Sequence, residues 1–260
     1  MAPLKSSRPD HPPSQPADTR PTLRHAFVTP ERKSRFVRSL FATIADRYDF
    51  ITVALSYGQD RRWKRRLVAL AQPANGRRAL DLATGTGDIA YALASSGARV
   101  VGLDITHRMI ELAIGKASER AGSCTFLVGD MLALPFADHS FDLVTTGYGL
   151  RNVPDLTTAV DEIARVLAPG GLVLSLDFNR PANGVVRRAY LLYLTVVGTV
   201  LGLILHRDPD TYRYIPASIR RYPGAEAVGR MMETCGFTDV GYLPVLGGLM
   251  AIHYARSRWK

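Results

Sequence analysis

The sequence predicts an α/β domain: a doubly wound, mostly parallel, Rossmann-like sheet of seven strands, with a terminal antiparallel hairpin and a helical lid insertion. Three observations carry that prediction. Apolar segments of strand length alternate with amphipathic helical segments from residue 77 onward, the order that builds a parallel sheet with helices on both faces. The first three strands each end in a carboxylate, Asp81, Asp104 and Asp130, on the edge where open α/β sheets bind ligands. The last two strands follow one another after a short connection, a hairpin that ordinary dinucleotide-binding sheets lack.

Composition fits one such domain. The chain has 260 residues, is 47% hydrophobic and has a mean hydropathy near zero, enough for one sizeable core. Cys124 and Cys235 lie far apart in sequence, without metal-ligand spacing; they read as packed thiols in a reducing cytosol. The six histidines are scattered, and no metal site is expected.

Residues 1–33 read as a disordered, basic, Pro-rich tail and 34–260 as the folded domain. The tail holds few large apolar side chains, too few to offset chain entropy. It has no apolar h-region, so a secretory signal is not expected, and Asp10, Asp18 and several prolines interrupt any amphipathic transit helix. Five of the ten net positive charges fall within residues 1–38. Such a segment can touch anionic lipid or nucleic acid, or simply keep the chain soluble.

From residue 34, Phe36, Leu40, Phe41 and Ile44 share one helical face, and DRRWKRRLVAL forms a second, basic amphipathic helix. Strands are expected at 77–82, 98–103, 124–129, 141–147, 171–178, 237–243 and 248–256. Helices are expected at 87–96, 106–120, 155–168 and 224–235. Residues 179–222 form an insertion before the last helix.

The run LDLATGTGD, Leu80 to Asp88, joins a strand to a glycine turn bracketed by two carboxylates. Gly85, Gly87 and Ala90 satisfy a dinucleotide fingerprint. Asp81 and Asp88 oppose that reading, because a pyrophosphate needs donors and positive potential. A cationic nucleoside, S-adenosylmethionine (SAM), has the matching charge. Asp104 stands where a carboxylate accepts from ribose hydroxyls. Asp130 and Met131 end the third strand beside the adenine position, although a strand-ending Asp taken alone is more often a cap or turn residue.

Further motifs are ALPFADHSFD, YGLRNVPD at 148–155, RVLAPGG, DFNRP and DTYRYIPASIRRYP, with ADRYDFITVALSYGQDRRWKR near the start. On these the chain resembles the ubiquinone/menaquinone C-methyltransferase (UbiE-type) family of class I SAM-dependent methyltransferases, over about residues 35–256. The resemblance implies SAM as cofactor and a prenylated quinol as the molecule methylated. It implies SAM contacts at Asp81, Gly85, Thr86, Gly87, Asp104, Ile105, Asp130, Met131 and Gly147. Relatives often carry Ser where this chain has Gly147, so a backbone contact is expected there. Thr84 stands where Gly is common in the motif, and a β-branched residue restricts that turn.

Residues 189–205 form a 17-residue run without a charge, flanked by Arg187, Arg188, His206 and Arg207. Apolar nearly all round, it must be buried in protein or lipid. A lid over an apolar substrate that touches the membrane surface, a core helix and a short membrane span are the readings it admits, the first favoured. The expected location is the cytoplasm at the inner face of the membrane, with peripheral contact to anionic lipid; a homodimer is left open.

Methylation of an aromatic carbon requires alignment and stabilisation of a phenolate. Arg151 and Asn152 follow the fourth strand and are the expected catalytic pair: a guanidinium for the oxyanion, an amide for a second ring oxygen. Arg is a poor proton acceptor, so the base lies elsewhere. Tyr148, Asp177, Tyr212 and Tyr214 are further candidates for orienting the ring or relaying a proton. The plain alternative is an Arg151–Asp155 ion pair and Asn152 as a helix cap. Methylation of another lipid-like acceptor at oxygen or nitrogen is the second enzymatic reading. A nucleic-acid-binding role has only the basic charge in its favour, which gives non-specific affinity; no specific nucleic-acid partner is expected.

Overall fold

The computed structural model describes residues 23, 25–56, 58–73, 75–119, 124–181 and 183–258. Most of the tail expected to be disordered lies outside the described residues. Its last four residues are helical, because Thr29 caps a helix with Pro in its first turn: the Thr29 hydroxyl accepts from Arg32 N, and α1 runs Pro30–Ile44. After a short 3-10 turn come α2 (Tyr48–Leu55) and α3 (Asp60–Ala71).

The domain proper has strands β1 (Arg78–Leu82), β2 (Arg99–Asp104), β3 (Cys124–Val128), β4 (Phe141–Gly147), β5 (Leu167–Phe178), β6 (Thr238–Val245) and β7 (Met250–Arg256). They form one sheet of order β3-β2-β1-β4-β5-β7-β6. The first five pair in parallel, whereas β7 runs antiparallel between β5 and β6, as the closing hairpin predicts. The order reverses between β1 and β4, which opens a crevice above their carboxyl ends.

Helices α4 (Asp88–Ala94), α5 (His107–Gly115), α6 (Leu156–Val166) and α9 (Ala225–Thr234) connect the strands. Strand alternation sends Leu80 and Leu82 into a core with α6 and α9, where Ile163, Val228 and Met232 meet them. Ala79, Leu143 and Leu174 face the other way, onto Trp63 and Leu67 of α3 and Leu93 of α4. Leu67, Leu80 and Leu93 are fully buried; truncating any one to Ala costs about 2–5 kcal/mol. β5 begins earlier than its sequence pattern predicts, because Leu167 already pairs with Phe141; the LAPGG segment is a bulge that shifts the register before Leu172 meets Leu143.

The insertion is a helical hairpin, α7 (Gly184–His206) and α8 (Asp210–Arg221). Gly198 and Gly202 let the two helices approach closely, since a Cβ at Gly198 would lie 3.2 Å from the Tyr212 carbonyl oxygen and one at Gly202 would collide with that of Asp208. Tyr212 and Tyr214 of α8 then pack on Phe36, Leu40 and Ile44 of α1. The N-terminal helices and the insertion thus form one cover over the crevice.

Candidate active site

A cavity opens where β1, β2 and β4 end, and Gly85, Asp104, Ile105, Asp130, Met131 and Gly147 all lie on its wall. Asp104 is fixed there by two backbone donors, Gly85 N at 2.9 Å and Thr106 N at 2.8 Å, one on each carboxylate oxygen. Each oxygen keeps a lone pair for a further donor. Burial pushes the Asp104 carboxyl up, opposed by those backbone hydrogen bonds. Asp130 accepts from Leu132 N, which directs Met131 inward over an apolar floor that includes Leu103 and Met109. A carboxylate at one end and a thioether beside a flat apolar slot fit the ribose and adenine of SAM.

The turn itself solves the problem posed by Thr84. Left-handed conformations fall on Ala83 (φ 50°), Gly85 (φ 55°) and Gly87 (φ 84°), and Thr84 escapes. Its hydroxyl instead donates to Asp81 Oδ2 at 2.7 Å. Gly87 caps α4, and a Cβ there would lie 3.1 Å from Tyr91 and Phe126. Gly147 leaves room for Ile89, whose Cδ1 would sit 2.7 Å from an added Cβ.

Three of the expected SAM contacts do not line this cavity. Asp81 is 1% exposed and lies behind the wall, because the hydroxyls of Thr84 and Thr145 both donate to it. Burial raises its carboxyl to about 6 against those two hydrogen bonds. Thr86 faces a separate small recess and donates to Asp49 at 2.6 Å. Gly87 serves the helix start. Asp88 pairs with Lys64 at 3.1 Å and Lys116 at 3.6 Å, so the bracketing carboxylates of the glycine turn are held by the protein's own groups.

A second cavity adjoins the first across Phe41, Tyr48 and Tyr148. Its walls are mostly apolar: Leu40 and Ile44 from α1, Ile51 and Leu55 from α2, Ile215 from α8, and Tyr190 from α7. Arg151, Tyr148 and Ser56 give it a polar side. An apolar chain with an oxygenated ring at one end matches that distribution.

Arg151 sits in the second cavity's wall and Asn152 in the first's. Arg151 is 5% exposed. Its Nε donates to Asp177 Oδ1 at 3.3 Å, its backbone N to Asp177 Oδ2 at 3.0 Å, and Nη1 to the Ser218 hydroxyl. Its guanidinium lies 5.0 Å from the Phe178 ring centre. Asn152 donates to the Tyr148 carbonyl at 2.8 Å and accepts from the Tyr214 hydroxyl at 3.1 Å. The alternative pairing with Asp155 does not form: Asp155 caps α6 by accepting from Thr158 N, and Asn152 braces a tight turn. Asp177 lies behind Arg151 and lines neither cavity; Tyr212 lines the second, with its hydroxyl 2.8 Å from His206 Nε2.

The sequence did not point to Tyr48, Asp60 or Lys64. One signal was present for Asp60: it shares the helical stripe of Trp63, Leu67 and Ala71, an acid placed on a buried apolar face. Lys33, a basic residue of the N-terminal segment, donates from Nζ to the carbonyls of Arg151 and Val153, the former at 3.2 Å and the latter at 2.5 Å. Burial and the nearby Arg151 lower its ammonium to about 8.

The family model of the ubiE/COQ5 methyltransferase family matches residues 28–257. The chain belongs to the ubiE/COQ5 methyltransferase family. It is 43% identical to a demethylmenaquinone methyltransferase of Thermus thermophilus, over 82% of this chain and 98% of that one. It is 38% identical to the ubiquinone/menaquinone biosynthesis C-methyltransferase UbiE of Zymomonas mobilis, over 90% of this chain and 96% of that one. Solved structures share the fold of this ubiE/COQ5 family member at lower identity. A SAM-dependent methyltransferase of Thermotoga maritima superposes with a TM-score of 0.62 at 18% identity, covering 85% of this chain and all of that one. The phosphoethanolamine N-methyltransferase 2 of Haemonchus contortus in complex with S-adenosyl-L-methionine gives 0.57 at 17%, covering 76% and 52%.

Proposed function

We propose that this protein transfers a methyl group from SAM to a ring carbon of a prenylated quinol, demethylmenaquinol or the demethylated ubiquinol precursor, in quinone biosynthesis. The observation that carries the reading is the adjacency of two cavities: one with a ribose-type carboxylate and a thioether-covered slot, the other apolar with Arg151 and Tyr148 on its polar side. Bound SAM supplies an electrophilic methyl group on a sulfonium. Asp104 would hold the ribose hydroxyls, Asp130 and Met131 would hold the adenine, and Gly85 and Gly147 would let the backbone come close. The second cavity orients the quinol and excludes water, which strengthens the field of Arg151 on a developing phenolate. Asn152 keeps that turn in place through Tyr148 and Tyr214.

The family's relatives named above support the quinol, and the lid supports a long apolar tail. Helix α7 is long and apolar enough to cross a membrane. One side of it closes the second cavity through Tyr190. The other presents Val185, Leu192, Val196, Val200 and Leu203, all exposed, at helical spacing. Arg188 and Arg207 lie exposed at its two ends. In this reading α7 lies in the interface of an anionic membrane on its cytoplasmic side, which lets a lipid-soluble quinol enter without crossing water. A second copy of the chain covering the same ridge is the other arrangement, visible as a dimer in sedimentation.

The deciding experiment is transfer of labelled methyl from SAM to reduced demethylmenaquinol, the demethylated benzoquinol precursor and short-tailed analogues, with mass mapping of the product. Label on a ring carbon supports the reading and names the ring. Label on oxygen, or none with SAM binding intact, rejects it.

A further inference from the structure

The mechanism above leaves the quinol's hydroxyl proton without a destination. Arg151 cannot take it, and Asp177 is enclosed behind Arg151. Two tyrosines line both cavities, Tyr48 and Tyr148, and Tyr148 is the one whose hydroxyl is bonded to a buried carboxylate. Tyr148 holds a left-handed backbone conformation, φ 62°, uncommon for a bulky residue. Two hydrogen bonds impose it, from Tyr148 N to Leu176 O at 2.7 Å and from Asn152 Nδ2 to Tyr148 O. Strain of this kind persists where surroundings over-determine it, and here it aims the phenol away from the sheet edge toward α3. There the Tyr148 hydroxyl donates to Asp60 Oδ1 at 2.7 Å.

Asp60 is 2% exposed. Its other oxygen lies 2.7 Å from Lys64 Nζ, which reaches on to Asp88. On the far side, Asp60, Lys64 and Asp88 line a third, open cleft that does not include Tyr148. A buried carboxylate is thus connected by one hydroxyl to the acceptor cavity and by one ammonium to an opening on the other side of the wall. Burial and the Asp60 charge keep the Tyr148 phenol protonated, so it can pass a proton and is unsuited to keep one deprotonated site in reserve. Lys64 stays charged, because Asp60 and Asp88 outweigh its burial. The ionisable groups that face Asp60 are Lys64 on its own helix, Tyr148 beyond β4, Tyr48 on α2 and, through Lys64, Asp88 on α4.

We propose that Tyr148 and Asp60 form a proton relay that takes the acceptor's hydroxyl proton as methyl transfer begins and stores it on the Asp60 carboxylate. The proposal rests on the acceptor being a quinol, as argued above. The quinol O–H bond breaks toward Tyr148 Oη while the Tyr148 O–H bond breaks toward Asp60 Oδ1. The electron pair released on the quinol oxygen moves into the ring, the ring carbon bonds to the methyl carbon, and the S–CH3 bond breaks with its pair retained by sulfur. The ring carbon then yields its hydrogen as a proton to water, aromaticity returns, and the oxygen recovers its proton from Asp60 through Tyr148. One proton is released per methyl transferred, and Asp60 ends as a carboxylate.

The test uses an alkyl-tailed nitrophenol, whose ionised form is coloured, bound to the full-length protein with S-adenosylhomocysteine. At a pH one unit below the analogue's own pKa, the wild-type protein is expected to convert it to phenolate without releasing a proton to an indicator dye. Asp60→Asn and Tyr148→Phe are expected to bind it within about threefold of wild type, yet leave it un-ionised. In turnover both should lower kcat by about 10²-fold, the scale of one general base. Equal phenolate in wild type and both variants, or none in wild type although the analogue binds, overturns the relay and leaves the proposed function standing. Failure of wild type to bind the analogue or to methylate any quinol, with SAM bound, overturns the proposed function and the relay together.

Discussion

The Arg151 guanidinium and the Asp177 carboxylate meet at 3.3 Å in a space where their side chains are 4% and 0% exposed. Asp177 also accepts from the Arg151 backbone N, so one carboxylate fixes both the main chain and the side chain of the residue that faces the second cavity. Burial drives Asp177 up and Arg151 holds it down. A pair this dry is oriented with little freedom, which suits the charge-stabilising role proposed for Arg151.

Replacing Arg151 by Lys keeps the charge and loses the planar fork to Asp177 and Ser218. We expect kcat for quinol methylation to drop by about 10²-fold while the Kd for SAM stays within about twofold, because Arg151 does not line the cofactor cavity. Stopped-turnover assays beside calorimetric SAM titration check this; a matching loss of SAM affinity contradicts the assignment.

Asp81 gives a pH-dependent stability. Its folded-state carboxyl sits near 6 because it is buried, above the ordinary value near 3.9 for an unfolded Asp. The folded state therefore binds the extra proton, and stability falls as pH rises from about 4 to about 6. The contribution is about 3 kcal/mol by that linkage. Denaturant midpoints across this window should show the slope in the wild type and a smaller one in Asp81→Asn.

Gly202 holds the lid hairpin together by absence of a side chain. Gly202→Ala forces a Cβ against the Asp208 carbonyl, backbone that cannot swing aside, and overpacking of this kind costs about 1–3 kcal/mol. Hydrogen exchange is expected to accelerate in α7 and α8 while β1 to β5 keep their protection. Unchanged exchange in the hairpin would show that its closeness is incidental.

The exposed ridge of α7 supplies a membrane test. Leu192 and Val196 are 65% and 53% exposed, so Leu192→Asp with Val196→Asp should leave thermal stability within about 0.5 kcal/mol per site, as surface changes do. Sedimentation with vesicles rich in anionic lipid should fall at least tenfold for the double variant. Retained binding would move the contact to another face.

Helix, strand and ligand edge were legible because each depends on local pattern. The apolar alternation in Arg78–Leu82 and Arg99–Asp104 sets strands, and strand-ending carboxylates mark the crevice through Asp104 and Asp130. Asp81 looked the same in sequence. Its fate depends on β4, which places Thr145 directly beside it and turns a candidate contact into a buried brace. The same limit applies to Arg151: its position after β4 was readable, but its partner, Asp177, comes from the end of the next strand.

By itself the sequence determined the parallel sheet with its antiparallel closure, the glycine turn, the carboxylates at Asp104 and Asp130 and the apolar insertion, since periodicity and short motifs act over a few residues. Only the tertiary structure decided what those elements enclose. Phe41 and Tyr48 become the partition between two cavities, and Asp60 comes within 2.7 Å of Tyr148 from 88 positions away. A polar side chain's role is set by which donors and charges fold around it, and those arrive from segments whose separation in sequence carries no record of their contact.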